Sequence, residues 1–399
     1  MINEIWLAGG TRTPIGGYLG ALAEVPAPTL GSTAIKESLR RAGIAPDQVD
    51  EVIFGNVVGA GLGQNVARQA AIYAGLPPVV GATTVNKVCG SGLKTVMLAA
   101  QAIQCGDAQA VVAGGTENMS AAPFLLPKAR AGYRLGHGEV LDADVRDGLW
   151  DVYNNLHMGT FGDRCAQKEG ISRQEQDDFA VASYQRSQAA QKEKLFDDEL
   201  VTVEIKGRKG SVFVSEDEEP GRFNEQKLRA LRPAFDAAGS VTAGNASSIN
   251  DGAAAVVVIS PQKAKSLGVQ PQARILGYST YSREPEWFTL APVTAIDHLM
   301  QKLGLSVADV DLFEVNEAFS VVAIAAMKQL KIPHEKMNVR GGAVALGHPI
   351  GASGTRILVT LLSALKQTKG KIGIASLCIG GGEAVAMAVE RLNGNGHAG

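Results

Sequence analysis

Short apolar runs alternate with segments of helical periodicity along most of the chain. Apolar runs at 110–115, 253–260 and 372–382 have the length and composition of strands that are covered on both faces. N-terminal to the first of these runs, the segment "GLKTVMLAAQAI" has the spacing of a helix with one buried stripe. This pattern predicts an α/β fold built in layers. The predicted buried stripe comprises Leu93, Val96, Met97, Ala100 and Ile103.

The chain contains an internal repeat. Residues 34–56 align with residues 295–317 at an offset of 261, and residues 89–103 align with residues 351–365 at an offset of 262. Two matches at nearly one offset predict two similar α/β halves that pack as a pseudo-dimer. Generic similarity between helix–loop–strand units is the alternative explanation. The identical pairs in the first match are Ala34/Ala295, Ile35/Ile296, Gly43/Gly304, Val49/Val310 and Asp50/Asp311.

The segment between the repeats differs from both in composition. It holds the polar helix "SRQEQDDFAVASYQRSQAAQ" and the charged stretch "SEDEEPGRF", which are typical of a loop-rich insertion. We therefore predict an N-terminal half at 1–120 and 250–270, an inserted loop domain at 121–249, and a C-terminal half at 271–395. Residues 396–399 are predicted to form a frayed tail.

Composition excludes several classes of protein. The 399 residues carry a net charge of −2 without long charged blocks, so neither a nucleic-acid surface nor an anionic membrane surface is indicated. No run is long and apolar enough for a membrane span, and the N-terminus lacks the features of a signal peptide. The four cysteines form no CxxC pair and no cluster with zinc spacing, so we predict free thiols in a reducing cytoplasm and no metal site.

Cys89 occupies an unusual position, between a strand-like run and the predicted helix. Gly90, Ser91 and Gly92 follow it, so its sulfur is expected near a helix N-terminus, where the positive end of the helix dipole favours a thiolate. The glycines would let a substrate approach the backbone closely. Taken alone, Cys89 could equally be a buried structural cysteine.

Three segments of the second half carry further candidate chemistry. Asn316 follows a strand in "EVNEAFS", His348 lies in the glycine-rich loop "RGGAVALGHPIGASGTR", and Cys378 ends a strand before a run of glycines. If the halves pack about a pseudo-two-fold axis, these three residues and Cys89 converge at the ends of the sheets. Two cysteines, a histidine and an amide in one place indicate acyl-transfer chemistry.

The motifs "NKVCGSG", "AGNASSINDGAA", "NEAF", "GGAVALGHPIGASG" and "CIGGGEA" occur in this order and together resemble the thiolase family over essentially the whole chain. Within that family the sequence is most similar to the short-chain enzymes that form or cleave acetoacetyl-CoA. The resemblance implies the thiolase fold, an α/β fold with a duplicated five-layered αβαβα core and an inserted loop domain for coenzyme A binding and tetramerisation. It also implies a homodimer or homotetramer, and the insertion favours the tetramer.

The resemblance further implies a role for each candidate residue. Cys89 would attack an acyl-CoA thioester while His348 takes its proton, and Cys378 would exchange a proton with the methyl carbon of a second acetyl-CoA. One oxyanion hole would use His348 and a water held by Asn316, and another would use the backbone N–H groups of Cys89 and Gly380. His348 as a satisfied loop histidine and Asn316 as a strand cap are the structural alternatives.

Substrate contacts are also implied by the resemblance. The implied ligands are acetyl-CoA, acetoacetyl-CoA and coenzyme A, with no separate cofactor. Arg222 would meet the adenine or phosphate end of coenzyme A, although the sequence around it departs from the family pattern. The remaining implied contacts, which could instead be a loop turn and core aromatics, are His157, Met158, Phe235, Ala246, Ser247, Ala318 and Phe319.

Several other residues near these motifs receive a structural interpretation. Trp287 and Phe288 stand where short-chain members usually have a methionine, so one of these aromatic rings could close the acyl pocket or swing aside. Core packing is predicted for Cys105 and Cys165. Glu317 and Glu383 are expected to be structural ion-pair or hydrogen-bond partners.

The leading hypothesis is the Claisen condensation of two acetyl-CoA molecules and the reverse thiolysis, by a ping-pong mechanism through acetyl-Cys89. A degradative 3-ketoacyl-CoA thiolase of broader chain length is the first alternative. A catalytically silent acyl-CoA-binding protein on the same fold is the second, but it would be expected to lack a catalytic group. A ketoacyl synthase is disfavoured because that relative uses two histidines with its cysteine.

Overall fold

The computed structural model describes residues 4–208, 210–393 and 397–398. The strands are β1 (Trp6–Arg12), β2 (Gly16–Gly17), β3 (Glu51–Gly55), β4 (Gly81–Val85), β5 (Ala110–Asn118), β6 (Phe124–Leu125), β7 (Leu141–Asp142), β8 (Trp150–Asp151), β9 (Leu156–His157), β10 (Val203–Gly207), β11 (Gly210–Val214), β12 (Asn250–Ile259), β13 (Ala273–Ser282), β14 (Leu312–Val315), β15 (Ile372–Ile379), β16 (Glu383–Asn393) and β17 (His397–Ala398). The helices are α1 (Ala27–Ala42), α2 (Val66–Tyr73), α3 (Ser91–Cys105), α4 (Met158–Glu169), α5 (Arg173–Lys192), α6 (Glu225–Arg229), α7 (Pro261–Leu267), α8 (Ala291–Leu303), α9 (Ser320–Leu330), α10 (Ala343–Leu346) and α11 (Ile350–Thr368).

The main strands follow the order β14-β15-β16-β13-β1-β12-β5-β3-β4. The two halves of this sheet meet at β1 and β13, which pair over only two positions. The first half contains the parallel pair β3–β5, with Glu51 opposite Val111, and the second contains the parallel pair β14–β15, with Leu312 opposite Gly373. The strand register of the first half therefore recurs in the second at the offsets of the sequence repeat, which confirms the predicted duplication.

The helices and the two half-sheets form five layers, with three large hydrophobic cores between them. Val256 of β12 and Val385 of β16 face a central core formed with α3 and α11, so these two helices lie between the two halves of the sheet. The neighbouring Val257 faces an outer core with α1 and α2, whereas Ala386 faces the opposite outer core with α8 and α9. Successive strand residues point to opposite faces, so each half-sheet is covered twice, which confirms the αβαβα architecture.

The two halves also share local devices. Helices α1 and α8 both end at a glycine in the left-handed region, with φ of 69° at Gly43 and 66° at Gly304. Asp50 accepts hydrogen bonds of 2.7 and 2.9 Å from two N–H groups at the start of β5, and Asp311 accepts bonds of the same lengths at the start of β15. The conserved spacing in the repeat thus reflects identical helix ends and strand starts.

The central helices approach each other most closely at their N-termini. A Cβ atom on Gly92 of α3 would lie 2.7 Å from the backbone nitrogen of Thr355, and one on Gly354 of α11 would lie 2.3 Å from that of Leu93. Only glycine fits at both positions, because either distance is far below an ordinary contact. The contact brings the loops that precede the two helices, and with them Cys89 and His348, to one place.

The insertion is joined to the core by buried charges. Arg12 of β1 is fully buried and forms ion pairs with Glu199 at 2.6 Å and with Asp217 at 2.7 Å. Within the insertion, the predicted polar helix is α5, which begins with a capping box formed by Ser172. In the predicted tail, residues 397 and 398 pair with β16, whereas residues 396 and 399 lie outside the described residues. The exact domain boundaries stay predictions.

Two cysteines away from the motifs have different environments. Cys165 is fully buried among apolar side chains, as predicted. The prediction for Cys105 was wrong, because this residue is exposed. It is the last residue of α3, and its position falls outside the stripe that faces the central core, so its side chain is left at the surface.

The described residues contain neither a membrane-spanning helix nor a cluster of metal-binding side chains. No helix within 4–208, 210–393 or 397–398 has both the length and the apolar character needed to cross a membrane. In the same part of the chain, no group of three or more histidine, cysteine or acidic side chains is arranged to hold a metal ion.

Candidate active site

A largely apolar cavity of about 300 Å³ lies where the two halves meet the insertion. Cys89 and His348 both line it, one from each half, and α4 of the insertion contributes Met158. Residues that were not predicted complete the lining, among them Met119, Leu149 and Ile350. The predicted residues that line the cavity are Cys89, His157, Met158, Phe235, Ala246, Ser247, Ala318, Phe319, His348 and Gly380.

A strained turn presents Cys89 at the start of α3. Val88 has a φ of 45°, which is a genuine outlier for a β-branched residue. The Ser91 hydroxyl holds this turn, because it accepts from the N–H of Lys87 at 2.8 Å and donates to the carbonyl of Val88 at 2.7 Å. Strain of this kind persists only where the surroundings enforce it, and it often marks functional sites.

The ionisation of Cys89 differs from the sequence-based expectation. Burial raises the pKa of Cys89 to about 11, and the charge of Glu117 acts in the same direction. The N–H groups of Gly380 and of Cys89 itself face the sulfur and lower this pKa, but by less than burial raises it. Cys89 does lie at the start of α3, as predicted, but burial outweighs the groups that favour its thiolate, so the free site is expected to hold a thiol.

His348 is held at three points. Its backbone N–H donates to Oδ1 of Asn250 at 2.8 Å. In the ring, Nδ1 lies 2.5 Å from Oγ of Ser353 and Nε2 lies 3.5 Å from Nδ2 of Asn316. Burial, together with the charge of Arg356, lowers the pKa of His348 to about 3. The imidazole is therefore neutral at physiological pH and can accept a proton.

Cys378 is fully buried at the end of β15. Burial raises the pKa of Cys378 well above its ordinary value, and the nearby sulfur of Cys89 adds to this increase. The loops that carry the two cysteines are joined by an ion pair of 2.6 Å between Lys87 and Glu383. The two sulfurs thus belong to one site, and Glu383 is the structural partner that was predicted.

Gly380 lies where the loop after Cys378 reaches the cavity, against the flexible end of Met158. A Cβ atom at this position would lie 2.7 Å from Cε of Met158. Without a side chain there, the N–H of Gly380 reaches the sulfur of Cys89, as its effect on the pKa of Cys89 shows. Asn316 lies behind the lining with its side chain fully buried, and contacts the cavity through His348.

Aromatic rings form one wall of the cavity. His157 stacks on Phe235 with 4.6 Å between ring centroids, and Phe235 meets the ring of Phe319 edge-on at 6.3 Å. His157 Nδ1 accepts the N–H of Gly159 and so caps α4, while burial lowers the pKa of the ring. Ser247 donates its hydroxyl to the carbonyl of Ala318 at 3.1 Å. The wall is thus neutral and ordered.

Only one of the two aromatic residues in the loop before α8 faces the cavity. Phe288 is buried and lines it. Trp287 lies outside the lining, where the Nζ atom of Lys168 is 3.8 Å from its ring centroid. Phe288 therefore occupies the place in the acyl wall that the sequence left open between the two.

Arg222 lies away from the cavity. It ends a short 3-10 turn, and its exposed guanidinium forms ion pairs with Glu218 and Glu219. Its assignment to the adenine or phosphate end of coenzyme A stays a prediction that the geometry of the cavity does not support.

Sequence reasoning missed Glu117, which is fully buried below Cys89. Its carboxylate accepts from the N–H groups of Val57 at 3.0 Å, Val58 at 3.1 Å and Gly351 at 2.9 Å, and from the side chain of Asn56 at 2.8 Å. It therefore joins the loop after β3 to the start of α11. A charged residue at the end of an otherwise apolar strand was the available signal.

Ser353 and Asn250, which hold His348, were also missed as individual residues. Both lie inside quoted motifs, "GGAVALGHPIGASG" and "AGNASSINDGAA". Glu317 was predicted as a structural partner, and it accepts from Ser183 at 2.7 Å and from Asn338 at 2.7 Å. Polar residues in a motif thus divide into those that face the cavity and those that support it.

Comparisons with known proteins agree with this architecture. Residues 5–262 match the thiolase N-terminal domain, and residues 269–391 match the thiolase C-terminal domain. The chain therefore belongs to the thiolase family. It is 52% identical over 392 residues to acetyl-CoA acetyltransferase from Cupriavidus necator, which covers 98% of this chain and 100% of the relative. It is also 52% identical over 393 residues to acetyl-CoA acetyltransferase 2 from Arabidopsis thaliana, covering 98% of each chain.

Solved structures give the same result. The crystal structure of the Bacillus anthracis acetyl-CoA acetyltransferase superposes with a TM-score of 0.96 at 41% identity, covering 98% of this chain and 99% of that chain. A thiolase from Ascaris suum, solved in complex with coenzyme A, superposes with a TM-score of 0.93 at 40% identity, covering 98% of this chain and 100% of that chain. The five-layered thiolase fold is thus shared over nearly the full length.

Proposed function

We propose that the protein is an acetyl-CoA C-acetyltransferase, which condenses two acetyl-CoA molecules to acetoacetyl-CoA and coenzyme A and catalyses the reverse thiolysis. The observation that carries this proposal is the shared site of Cys89, neutral His348 and Cys378 beside an apolar cavity. The names of the relatives support the same activity. The substrates and products are acetyl-CoA, acetoacetyl-CoA and coenzyme A.

The first half-reaction transfers an acetyl group to Cys89. Nε2 of His348 takes the thiol proton as the sulfur attacks the thioester carbonyl, so the high thiol pKa is overcome only when substrate is present. The N–H groups of Gly380 and Cys89 donate to the oxyanion of the tetrahedral intermediate. The bond from carbon to the coenzyme A sulfur then breaks, and this sulfur takes the proton back from His348.

The second half-reaction joins two carbon atoms. Cys378 passes its thiol proton to Nε2 of neutral His348, and the resulting thiolate removes a proton from the methyl carbon of a second acetyl-CoA. The enolate carbon attacks acetyl-Cys89, and the Cys89 thiolate leaves and takes the proton back from His348. A thiol with a raised pKa is a strong base once ionised, which suits a very weak carbon acid. His348 and a water held by Asn316 would stabilise the enolate oxygen.

The walls of the cavity favour a short acyl group. Phe288, Met158 and His157 enclose a volume of about 300 Å³, at the lower end of the range for small-molecule sites. The family alternative, a degradative thiolase of broader chain length, would need this wall to open. A silent acyl-CoA-binding protein would have no use for both thiols and the neutral imidazole in one site.

Two measurements test the proposed function. Incubation with acetyl-CoA should add one acetyl group to the intact chain, and peptide mapping should place it on Cys89. The thiolysis rate should then be compared between acetoacetyl-CoA and a medium-chain 3-ketoacyl-CoA, with acetoacetyl-CoA expected to be cleaved faster. Absence of both the adduct and turnover would overturn the proposal, whereas faster cleavage of the medium chain would establish the degradative alternative.

The assembly state and the compartment are further parts of the proposal. A homotetramer would use the hairpin of β6 and β7 in the insertion, where Phe124 is 69%, Leu135 108% and Val140 57% exposed. Exposed apolar side chains concentrated on one hairpin are typical of an interface. Light scattering on the wild type and on Leu135→Asp tests this, with smaller particles expected for the variant. The cytoplasmic location stays a prediction from the sequence.

A further inference from the structure

We propose that Arg356, held by Glu314, is a positioning residue that fixes the orientation of the Asn316 amide and, through it, the tautomer of His348. This inference deepens the proposed function, and its consequence for turnover rests on that function. The tautomer itself is a property of the free protein and can be measured without any substrate.

Arg356 lies between a carboxylate and an amide in the interior. Its side chain is 2% exposed, and Nη1 is 3.1 Å from Oε1 of Glu314, whose side chain is 3% exposed. Its Nη2 donates to Oδ1 of Asn316 at 3.4 Å. Glu314 and Asn316 are two residues apart at the end of β14, so both project to the same face of the sheet, towards α11.

The guanidinium determines which way the Asn316 amide points. A guanidinium has donors only, so the amide oxygen must face Arg356 and the NH₂ group must face Nε2 of His348. Because this NH₂ group can only donate, Nε2 must carry a lone pair. The proton of the neutral ring then resides on Nδ1, which donates to Oγ of Ser353.

The chain of hydrogen bonds continues in one direction. The hydroxyl of Ser353 accepts from Nδ1 of His348 and donates to the carbonyl of Pro349 at 2.9 Å. Every group between Arg356 and Pro349 thus has a single consistent role. A flipped Asn316 amide would present its oxygen to Nε2 and stabilise a proton there, and the imidazole would no longer be ready to accept the proton of Cys89.

The first half of the molecule provides an internal comparison. At the offsets of the repeat, Lys94 corresponds to Arg356, Ile53 to Glu314 and Gly55 to Asn316. Lys94 is half-buried and Ile53 belongs to the central apolar core. The same scaffold is therefore stable without a buried ion pair at this position, so packing alone does not explain the pair in the second half.

The energetic cost of burying Arg356 with Glu314 also indicates that the pair has a role other than packing. Nε of Arg356 is buried without a hydrogen-bond partner among the residues that the structure describes. Burying an unsatisfied donor is unfavourable, and a buried ion pair is often no more stable than apolar side chains of similar volume. A costly group kept beside the reacting atoms is consistent with a role in positioning.

The charge of Arg356 adds to the effect of its geometry. It disfavours a second positive charge on the imidazole, in the same direction as burial. Loss of Arg356 should therefore let a protonated imidazole form at higher pH. The titratable and charged groups around His348 are Arg356 on α11, Glu314 and Glu317 from β14 and the residues after it, Cys378 on β15, Cys89 and Glu117 of the first half, and His157 of the insertion.

The test compares Arg356→Met with Arg340→Met in the intact chain. Arg340 is also buried and pairs with Glu199 at 3.4 Å, outside the cavity, so its loss controls for removal of a buried guanidinium. Selective ¹⁵N labelling of the six histidines reports the tautomer of His348 by NMR. We expect an unprotonated Nε2 in the wild type and in Arg340→Met, and a mixed or protonated Nε2 in Arg356→Met.

Kinetics supply a second readout. For thiolysis of acetoacetyl-CoA, we expect Arg356→Met to lower kcat about 10- to 100-fold, to change KM by less than about threefold, and to show a new acidic limb in the pH profile. Arg356→Lys should restore part of kcat because it keeps the charge. Loss of stability alone would lower the active fraction and leave the pH profile unchanged.

Several results would overturn the inference. One such result is a proton on Nε2 of His348 in the wild type, which can be detected without making any variant. Another is a variant Arg356→Met that keeps both the wild-type tautomer and the wild-type pH profile. If this variant does not fold, Asn316→Ala removes the donor to Nε2 of His348 that Arg356 orients, and an unchanged tautomer in that variant contradicts the inference. A wild type without thiolysis activity would instead reject the proposed function while the tautomer result stands.

Discussion

In the first half of the molecule the segment before α3 carries Cys89, and in the second half the segment before α11 carries His348. At the offset of 262, Asn86 stands in the first half where the second has His348, and Gly351 stands in the second where the first has Cys89. The same strand register, helix ends and glycine contact recur in both halves. A duplicated scaffold thus provides equivalent positions, and side chains at those positions divide the chemistry.

The ends of the equivalent strands β5 and β15 differ in the same way. Thr116 corresponds to Cys378 and donates its hydroxyl to the carbonyl of Ala27 at 2.6 Å, which is a structural contact. Glu117 corresponds to Ile379, which belongs to the central apolar core. The first half therefore has a buried carboxyl group at Glu117 where the second half has the hydrocarbon side chain of Ile379. It has a hydroxyl at Thr116 where the second half has the thiol of Cys378.

The largest effect is expected from Cys89→Ala, which removes the contribution of the first half. Without the nucleophile, thiolysis of acetoacetyl-CoA should fall by at least about 10⁴-fold. Mass spectrometry after incubation with acetyl-CoA should show no acetyl group on the intact chain. Cys105→Ala is the control, because this exposed cysteine should be replaceable without effect. An acetylated Cys89→Ala chain would contradict the assignment.

Cys378→Ala should separate the two thiols by the step that fails. This variant is expected to acquire acetyl at Cys89, because His348 and Cys89 are intact, but condensation should fall about 10³-fold for want of the proton-transfer group. Acetyl incorporation and acetoacetyl-CoA formation are measured on the same sample. Condensation at the wild-type rate would remove Cys378 from its proposed role.

Glu117→Gln tests the carboxylate that only the first half has. The amide side chain of this variant would offer one acceptor oxygen instead of two to the four N–H groups that now bond to Glu117. We therefore expect a loss of about 1–3 kcal/mol in unfolding free energy and a roughly tenfold loss of activity. Urea denaturation and thiolysis assays measure the two effects. Glu383→Gln, which alters a half-exposed ion pair, is the matched control and should lose less stability.

Glu117→Gln should also change how the unfolding free energy depends on pH. Burial raises the pKa of Glu117 to about 8 from 4.5, so the folded state binds a proton that the unfolded state releases between these values. The contribution that protonated Glu117 makes to the unfolding free energy is fully present below pH 4.5 and is lost as the pH rises through 8. The decline in unfolding free energy between pH 5 and 9 should therefore be shallower in Glu117→Gln, and an unchanged slope would argue against this titration.

The smallest effect is expected from Phe288→Ala, which changes substrate preference. At the offset of 261 the first half has Ala27, a small buried residue at the start of α1, where the second half directs an aromatic ring to the cavity. Truncation should raise the ratio of kcat/KM for a medium-chain 3-ketoacyl-CoA over acetoacetyl-CoA by about tenfold. Trp287→Ala, outside the lining, should leave this ratio unchanged. No change in Phe288→Ala would mean that another residue limits chain length.

The sequence was sufficient for the fold because the repeat and the apolar runs are local patterns. The buried stripe of α3, from Leu93 to Ile103, faces the central core as its spacing predicted. The ionisation of Cys89 could not be predicted, because it depends on how deeply the surrounding elements bury the sulfur. The exposed position of Cys105 depends likewise on where the helix ends relative to its neighbours.

Within the site, many of the residues that line the cavity were predictable from motifs, whereas Met119, Leu149 and Ile350 and the residues that orient the lining were not. Glu117 and Arg356 act through contacts with segments far away in sequence, and no spacing pattern encodes such contacts. Arg222 stays a prediction, because a basic residue in a poorly matched loop suggested a ligand contact and the structure gives it ion pairs with neighbouring acids.

The contact between Gly92 and Gly354 has a consequence for any attempt to divide the chain. Every residue of α11 from 350 to 365 is buried, and much of that burial comes from the other half. A gene cut in the linker between α7 and β13 should therefore yield two fragments that aggregate when made separately. Made together, they should reassemble into one particle, since each fragment would supply the missing wall of the other's interior.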